Sequence, residues 1–178
     1  ADYDGRMIHD GWAPYDAFKN AIHQQCLRHL LHRAEELLEQ ASWWAGRFLR
    51  KAIELLQDAL VLRDRRDAGT ISEHGLAVAR GRLEKRLDRL LAWNLSNKAN
   101  RRFQAHLARH RDEILTFLYH PDIEATNWPA EQAIRPAVAN RKVFGGNRTR
   151  AGAHAQEVLG SLFATCVQWE QDALAFLS

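Results

Sequence analysis

The sequence predicts a mostly α-helical protein in which only two short segments have the pattern of β-strands. Apolar residues recur at intervals of three and four over most of the chain, the spacing of one buried helix face. At 178 residues the chain can bury one core but is too short for two large independent domains. We therefore expect one domain, built chiefly of helices and able to hold an insertion.

The first forty residues contain both predicted strands. The segment RMIH at 6–9 reads as a strand that ends at Asp10 and Gly11, and APYDAFKNA at 13–21 reads as a short helix. A longer helix follows, although residues 21–26 can form a second strand; its apolar face comprises Leu27, Leu30, Leu31, Ala34, Leu37 and Leu38. This order places the Asp10 carboxylate at the C-terminal end of a strand, beside a glycine where the backbone can turn and a ligand can approach.

Three helical segments are predicted across the middle of the chain. The first spans 43–66 and ends near Gly69, and the second begins after Ser72 and should pack against the first. After the polar break NLSNKANRR, a third apolar stripe comprises Phe103, Leu107, Ile114, Leu115 and Leu118. Of the adjacent Trp43 and Trp44, we expect one ring in the core and one on the surface, in preference to a base-stacking pair.

The segment TNWPAEQAIRPAVANRKVFGGNRTRAG at 126–152 combines one acid with a group of cations. Thr126 or Asn127 can cap a helix that begins at Trp128, which places Glu131 in the first turn. From residue 132 to 156 the chain has no Asp or Glu, and its cations are Arg135, Arg141, Lys142, Arg148 and Arg150. A single carboxylate among so many cationic residues suggests a metal ligand that faces a polyanion.

Two features of this predicted helix follow from its sequence. Helical spacing puts Arg135 and Lys142 on the same face as Glu131, and Pro136 should kink the helix near its middle. The ordinary alternative is that Glu131 and Arg135 form a surface ion pair four residues apart, worth about 0.3 to 0.5 kcal/mol.

The composition permits nucleic acid as a partner and gives no sign of a membrane protein. The net charge is +3 and the sequence pI is about 9.1. Two cysteines, Cys26 and Cys166, make no disulfide framework, so the expected compartment is a reducing cytoplasm. The longest nearly apolar run, VLGSLFATCVQW, is shorter than the roughly 20 residues that cross a bilayer. The opening ADYDGRMIHD lacks Met and a signal-peptide pattern, so we expect a piece of a longer protein.

A second possible metal site is suggested by His23, Cys26, His29 and His32, which recur every three residues. On a single helix these side chains would fan over about half of the circumference and could not surround one ion. A packed cysteine with partly exposed histidines, on a helix or at a strand end, is the favoured interpretation.

Three stretches resemble transposases of the insertion-sequence sixty-six family, within the DDE superfamily: HDGWAPY at 9–15, HQQCLRHLLHRAEEL at 23–37, and the segment from TNWPAEQ to LFATC at 126–166. The resemblance implies a partial ribonuclease-H-like α/β core that lacks its first strands. It divides the chain into core residues 1–32, a large all-helical insertion at 33–120, and core residues 121–178.

The resemblance also implies a site in which three acids bind two magnesium ions. Asp10 matches the second acid and Glu131 the third, both as catalytic residues and as metal ligands; the first Asp would lie upstream of Ala1. The side chains of Trp12 and Trp128, each within three residues of one of these acids, would either wall the site or pack in the core.

The expected function is that of a DDE-type DNA transposase, which performs metal-dependent phosphodiester cleavage and strand transfer at transposon ends. Its partners would be double-stranded DNA, at the transposon ends and the target, and further copies of the chain in a homodimer or larger assembly. Arg135, Arg141, Lys142, Arg148 and Arg150 would contact phosphates, and this chain alone would be inactive. Two alternatives stay open, namely a non-catalytic helical DNA-binding or assembly module and a two-metal nuclease.

Overall fold

The computed structural model describes residues 2–177, which are mostly helical, as predicted. The chain divides into two compact units, Ala1–Asn127 and Trp128–Ser178. The first unit contains β1 (Arg6–His9), β2 (Ile22–Gln25), α1 (Leu27–Glu39), α2 (Trp43–Asp67), α3 (Glu73–Leu91) and α4 (Lys98–Arg109). The second contains α5 (Trp128–Phe144), α6 (Arg150–Gln168) and α7 (Ala173–Leu177).

The two strands form a parallel pair, in which Arg6 lies opposite Ile22 and His9 opposite Gln25. A short 3₁₀ helix, Ala13–Ala17, lies in the connection between them and replaces the longer helix predicted at 13–21. Because the carboxyl ends of parallel strands lie at the same edge, the residues that follow β1 and β2 are neighbours. Both predicted strands are confirmed.

Helices α2 and α3 begin and end where the sequence signals placed them. The Ser42 hydroxyl accepts a hydrogen bond from the Ala45 N–H at 3.4 Å, and the Ser72 hydroxyl accepts one from the Gly75 N–H at 3.1 Å. Gly69 follows α2 with a φ of +65°, the left-handed conformation that commonly ends a helix. These caps satisfy N–H groups that have no partner within the helix.

The core of the first unit lies among its helices, and α2 contributes the longest buried row. This row comprises Phe48, Leu49, Ala52, Leu55, Leu56, Ala59 and Leu62. Helix α3 packs against α2, as predicted, and its buried side chains are Leu83, Leu87 and Leu90. Burying one such leucine or phenylalanine contributes about 1.5 to 3 kcal/mol, so this interface supplies much of the unit's stability.

The segment after α4 leaves the helical path and packs against β2. Gln24 is fully buried, and its Nε2 donates to the Ile114 carbonyl at 3.0 Å while its Oε1 accepts from the Phe117 N–H at 2.8 Å. The Thr116 hydroxyl donates to the His23 carbonyl at 2.8 Å. The third predicted stripe is therefore buried, but only Phe103 and Leu107 lie on α4. Ile114 and Leu115 lie between two 3₁₀ turns, Arg111–Glu113 and Thr116–Leu118, and Leu118 ends the second turn.

The expectation of one buried and one exposed ring at Trp43 and Trp44 is wrong. The two residues are 72% and 74% exposed, because the buried face of α2 begins only at Gly46. The Arg50 guanidinium lies 4.6 Å from the centre of the Trp43 ring and stacks on it.

The second unit consists of α5, α6 and α7, and α5 is the helix predicted from Trp128 onward. Helix α5 begins at Trp128 with Glu131 in its first turn and continues through Pro136. The Thr149 hydroxyl accepts from the Gly152 N–H at 3.0 Å and caps α6. Among the described residues, no helix is long and apolar enough to span a bilayer.

Candidate functional site

Asp10 lies on the surface immediately after β1. Its Oδ1 accepts a hydrogen bond from the Trp12 N–H at 3.0 Å, the arrangement of an Asx turn. This bond orients the carboxylate at the carboxyl edge of the parallel pair, the edge at which open α/β sheets bind ligands. An ionised carboxylate oxygen can accept more than one contact, so Asp10 retains the capacity to bind a cation.

Gly11 makes the turn after Asp10 possible. Its φ is +86°, and a Cβ at this position would lie 2.6 Å from His106 Cε1 and 2.8 Å from Gln25 Oε1. Backbone conformation and packing therefore both favour glycine here. The side of Gly11 on which a Cβ would lie is occupied by these two side chains.

The two tryptophans close to the predicted acids are surface residues. Trp12 is 64% exposed and contacts Tyr15 edge-on, with 6.0 Å between ring centroids. Trp128 is 59% exposed. Packing in the core, one of the two interpretations of these residues, does not apply to either ring.

A cluster of histidines, which no local sequence pattern indicates, lies beside the strand pair. Its members are His9 on β1, His23 on β2, and His106 and His110 at the end of α4, together with Glu113. The His9 ring centroid lies 5.0 Å from that of His23 and 6.2 Å from that of His110. We refer to these five residues as the His–Glu cluster.

Hydrogen bonds assign the protons on two rings of the cluster. The Gly11 N–H donates to His9 Nδ1 at 3.1 Å, so neutral His9 holds its proton on Nε2. His9 Nε2 lies 2.9 Å from His23 Nδ1 and donates to it, which leaves the His23 proton on Nε2. His23 Nε2 in turn lies 2.8 Å from the Phe18 carbonyl oxygen, a suitable acceptor.

Glu113 joins the cluster to β2. Its Oε2 accepts from Gln25 Nε2 at 2.9 Å and from His110 Nδ1 at 2.7 Å, and it lies 3.7 Å from His9 Nε2. Burial lowers the pKa of His9, although the negative charge of Glu113 opposes this shift. His9 is therefore neutral at pH 7, and its contact with Glu113 is not an ion pair.

His106 is the most strongly perturbed member of the cluster. Burial lowers its pKa to about 4, and the positive charges of His110 and Arg33 act in the same direction. A neutral imidazole at this position packs against Gly11 without introducing a charge beside the strand end.

Glu131 and the predicted DNA-contacting cations belong to the second unit. Glu131 lies in the first turn of α5, where the helix dipole favours a carboxylate. Arg141 and Lys142 occupy the last turn of α5, and Gly145 and Gly146 follow with φ values of +71° and +80°. All five predicted cations are exposed: Arg135, Arg141, Lys142, Arg148 and Arg150.

A short parallel strand pair is thus followed directly by Asp10 in the first unit, and exposed cations lie on and after α5 in the second unit. The model of the Transposase IS66 family matches residues 1–155, and this chain belongs to that family. The resemblance seen in the sequence motifs is thereby confirmed.

Among known proteins, the chain is similar to "Uncharacterized protein y4jO" of Sinorhizobium fredii (strain NBRC 101917 / NGR234). The two are 31% identical over 136 residues, which cover 75% of this chain and 41% of the relative. The matched region is thus less than half of the relative's length. No solved structure matches the chain.

Proposed function

We propose that this chain is part of a DNA transposase in which Asp10 and Glu131 bind the divalent metal ions for phosphodiester cleavage and strand transfer. Family membership over residues 1–155, a range that includes both acids, is the observation that carries the proposal. The position of Asp10 at the carboxyl edge of a parallel strand pair supports it.

The division of the chain follows from the same proposal. Residues 1–32 and 121–178 belong to a ribonuclease-H-like core, and residues 33–120 form a helical insertion between its parts. The parallel register of β1 and β2 supports the first core segment, since such cores contain parallel strands connected through helical turns. The mutual packing of α2, α3 and α4, which lie entirely within residues 33–120, supports a helical insertion.

The proposed metal ligands have suitable chemistry for magnesium. Magnesium prefers hard oxygen ligands, and carboxylates of Asp and Glu provide them. Two bound magnesium ions would stabilise the negative charge on the attacking and leaving oxygens. Asp10 would bind the metal through its carboxylate, which the hydrogen bond from the Trp12 N–H already orients.

The basic segment of the second unit provides the contact with DNA in this proposal. Exposed arginine and lysine side chains neutralise phosphates and position the duplex without reading its sequence. The cations proposed for this role are Arg135, Arg141, Lys142, Arg148 and Arg150. Double-stranded DNA at transposon ends and target is the substrate, in the bacterial cytoplasm, and pairing two ends requires a homodimer or larger assembly.

A strand-transfer assay with the full-length protein tests this function. Asp10→Ala and Glu131→Ala should each reduce cleavage and strand transfer to below about 1% of wild type, because a metal ligand is removed. DNA binding should stay within about twofold, because phosphate contacts supply that affinity. Asp4→Ala, at an exposed acid before β1, is the matched control and should retain activity.

The alternatives give different results in the same assay. A two-metal nuclease would cleave in a metal-dependent manner without joining the product to target DNA. A non-catalytic module would bind DNA in a salt-sensitive manner and show no magnesium-dependent cleavage. Full activity of both acid variants would refute the assignment of Asp10 and Glu131.

A further inference from the structure

We propose that His9, His23 and Glu113 bind one zinc ion, or a similar divalent transition-metal ion, at a site separate from the proposed magnesium ligands. The proposal rests on the His–Glu cluster alone and does not depend on transposase activity. The three residues come from β1, β2 and the 3₁₀ turn after α4, so a bound ion would connect three separate segments.

The distances between the ligand atoms fit a small tetrahedral ion. His9 Nε2 lies 2.9 Å from His23 Nδ1 and 3.7 Å from Glu113 Oε2, and all three atoms lie within 4.8 Å of one another. Tetrahedral zinc, with bonds of about 2.0 to 2.1 Å, places its ligand atoms roughly 3.3 to 3.4 Å apart. Shifts of a few tenths of an ångström would therefore bring His9 Nε2 to the separation from His23 Nδ1 and from Glu113 Oε2 that a shared tetrahedral zinc ion requires.

The ligand types favour zinc over magnesium. Two imidazole nitrogens and one carboxylate form a set common at zinc sites that retain an open fourth position. His9 is buried, whereas His23 and Glu113 are half-buried, so an ion can reach the site from their exposed sides.

The groups around the ligands hold them in position. His23 Nε2 donates to the Phe18 carbonyl at 2.8 Å, which leaves Nδ1 with a free lone pair directed at the site. Gln25 Nε2 and His110 Nδ1 both donate to Glu113 Oε2, so zinc would bind Oε1 of the same carboxylate or take the place of one of these donors. Such outer hydrogen bonds orient the ligands of known metal sites, and their loss typically weakens metal binding by about 10- to 100-fold.

To bind the metal through Nε2, His9 must lose the proton on that nitrogen. In the metal-free chain its Nε2 proton points to His23, and its Nδ1 accepts the Gly11 N–H. On metal binding the Nε2 proton leaves to solvent and Nδ1 takes one up, so the ring remains a neutral ligand. The Gly11 N–H then needs another acceptor.

The side-chain carbonyl of Gln25 provides a hydrogen-bond acceptor for this change of protonation at His9. Its Oε1 is buried and, among the described residues, has no hydrogen-bond partner, while Nε2 of the same amide lies 3.4 Å from His9 Nδ1. Oε1 also lies 2.8 Å from the position that a Cβ on Gly11 would occupy. An unsatisfied buried carbonyl costs about 1 to 3 kcal/mol. Metal binding would give Gln25 Oε1 a hydrogen-bond donor, either the His9 Nδ1–H or the Gly11 N–H.

Zinc titration of the 178-residue chain, without an affinity tag and after treatment with a chelator, tests the site. We expect one equivalent of zinc per chain by isothermal titration calorimetry and by metal analysis after dialysis, together with a higher Tm. His23→Ala and the isosteric Glu113→Gln should each weaken zinc binding by at least about tenfold. Circular dichroism establishes that each variant is folded.

Two matched controls identify the ligands. His74→Ala removes an exposed histidine on α3, and Cys26→Ala removes the buried thiol next to β2; both variants should retain the zinc equivalent. Cobalt in place of zinc should give the visible absorption of a tetrahedral site without a thiolate band. The proposal is overturned if the folded wild type binds no zinc, if folded His23→Ala binds as tightly as wild type, or if Cys26→Ala abolishes binding.

Discussion

Gln25 and Glu113 are hydrogen-bonded to each other across 88 positions of sequence, with 2.9 Å between Gln25 Nε2 and Glu113 Oε2. Gln25 is fully buried at the end of β2, and Glu113 belongs to the turn that follows the helical part of the unit. The edge of the strand pair that presents Asp10 is therefore supported by a residue from a distant segment. Changes in that segment should affect the strand end as well as overall stability.

Glu113→Ala tests this support. The substitution removes the acceptor of both Gln25 Nε2 and His110 Nδ1, and unsatisfied buried donors cost about 1 to 3 kcal/mol. We expect a loss of that size in the free energy of unfolding, measured by urea denaturation in metal-free buffer. Glu36→Ala, which breaks an exposed pair with His32, is the control and should change stability by less than about 0.5 kcal/mol. Equal effects of the two substitutions would contradict the supporting role.

Gly11→Ala and Gly81→Ala form a second matched pair. At Gly11 the positive φ and the contacts with His106 and Gln25 oppose a methyl group, so we expect a loss of about 1 to 3 kcal/mol. At Gly81, inside α3, a Cβ would have nothing within 4 Å, so we expect a gain of about 0.4 to 1 kcal/mol. Thermal or urea unfolding measures both, and a stabilised Gly11→Ala variant would show that this turn is wrongly described.

The depressed pKa of His106 predicts a pH dependence of stability. Its pKa is about 4 in the folded chain and 6.5 in the unfolded chain, so between these values the unfolded chain binds more protons. The free energy of unfolding should therefore rise as the pH increases from about 4 to 6.5, with a slope from this group of at most about 1.4 kcal/mol per pH unit. His9, whose pKa is also lowered, acts in the same direction.

His106→Asn separates this contribution from those of other groups. The variant should show a shallower rise in unfolding free energy over the same pH range, measured by urea denaturation at several pH values. His154→Asn, at an exposed histidine of α6, should leave the slope of wild type unchanged. Parallel curves for wild type and His106→Asn would rule out a lowered pKa of the half-buried His106 in the folded chain.

The helices and both strands could be predicted because local patterns determine them. The buried row of α2, the cap at Ser72 and the glycine after α2 are encoded within a few residues of where they act. The strand ending at Asp10 was visible for the same reason. Trp43 and Trp44 were misjudged because the buried face of α2 starts three residues later, which depends on tertiary packing.

The His–Glu cluster could not be predicted because its members are far apart in sequence. The regular spacing of His23, Cys26, His29 and His32 does not connect His23 with His9, which it faces from β2. Glu113 reaches the same place only because the chain leaves the helical path after α4. A signal was present in the two strand histidines, since His9 lies opposite Gln25 and His23 lies two residues before Gln25, on the same face of β2.

The salt dependence of DNA binding tests the basic segment. If Arg141 contacts a phosphate, Arg141→Ala should reduce the slope of log K against log salt concentration by about 0.9. Arg82→Ala, at an exposed arginine of α3, should leave the slope unchanged. Fluorescence anisotropy with a labelled duplex at several salt concentrations measures both slopes. An equal reduction of the slope by Arg82→Ala would show that the total charge of the protein, and not a phosphate contact of Arg141, determines the salt dependence.

Metal ion replacement in the full-length protein tests the central claim most directly. Thiolates bind magnesium poorly and softer ions such as manganese better, so Asp10→Cys should lose strand transfer in magnesium, to below about 1% of wild type. Manganese should restore transfer by at least about tenfold, as expected for a direct ligand. Asp4→Cys, at an exposed acid before β1, should behave as wild type in both metals. Full activity of Asp10→Cys in magnesium would contradict a metal-binding role for Asp10.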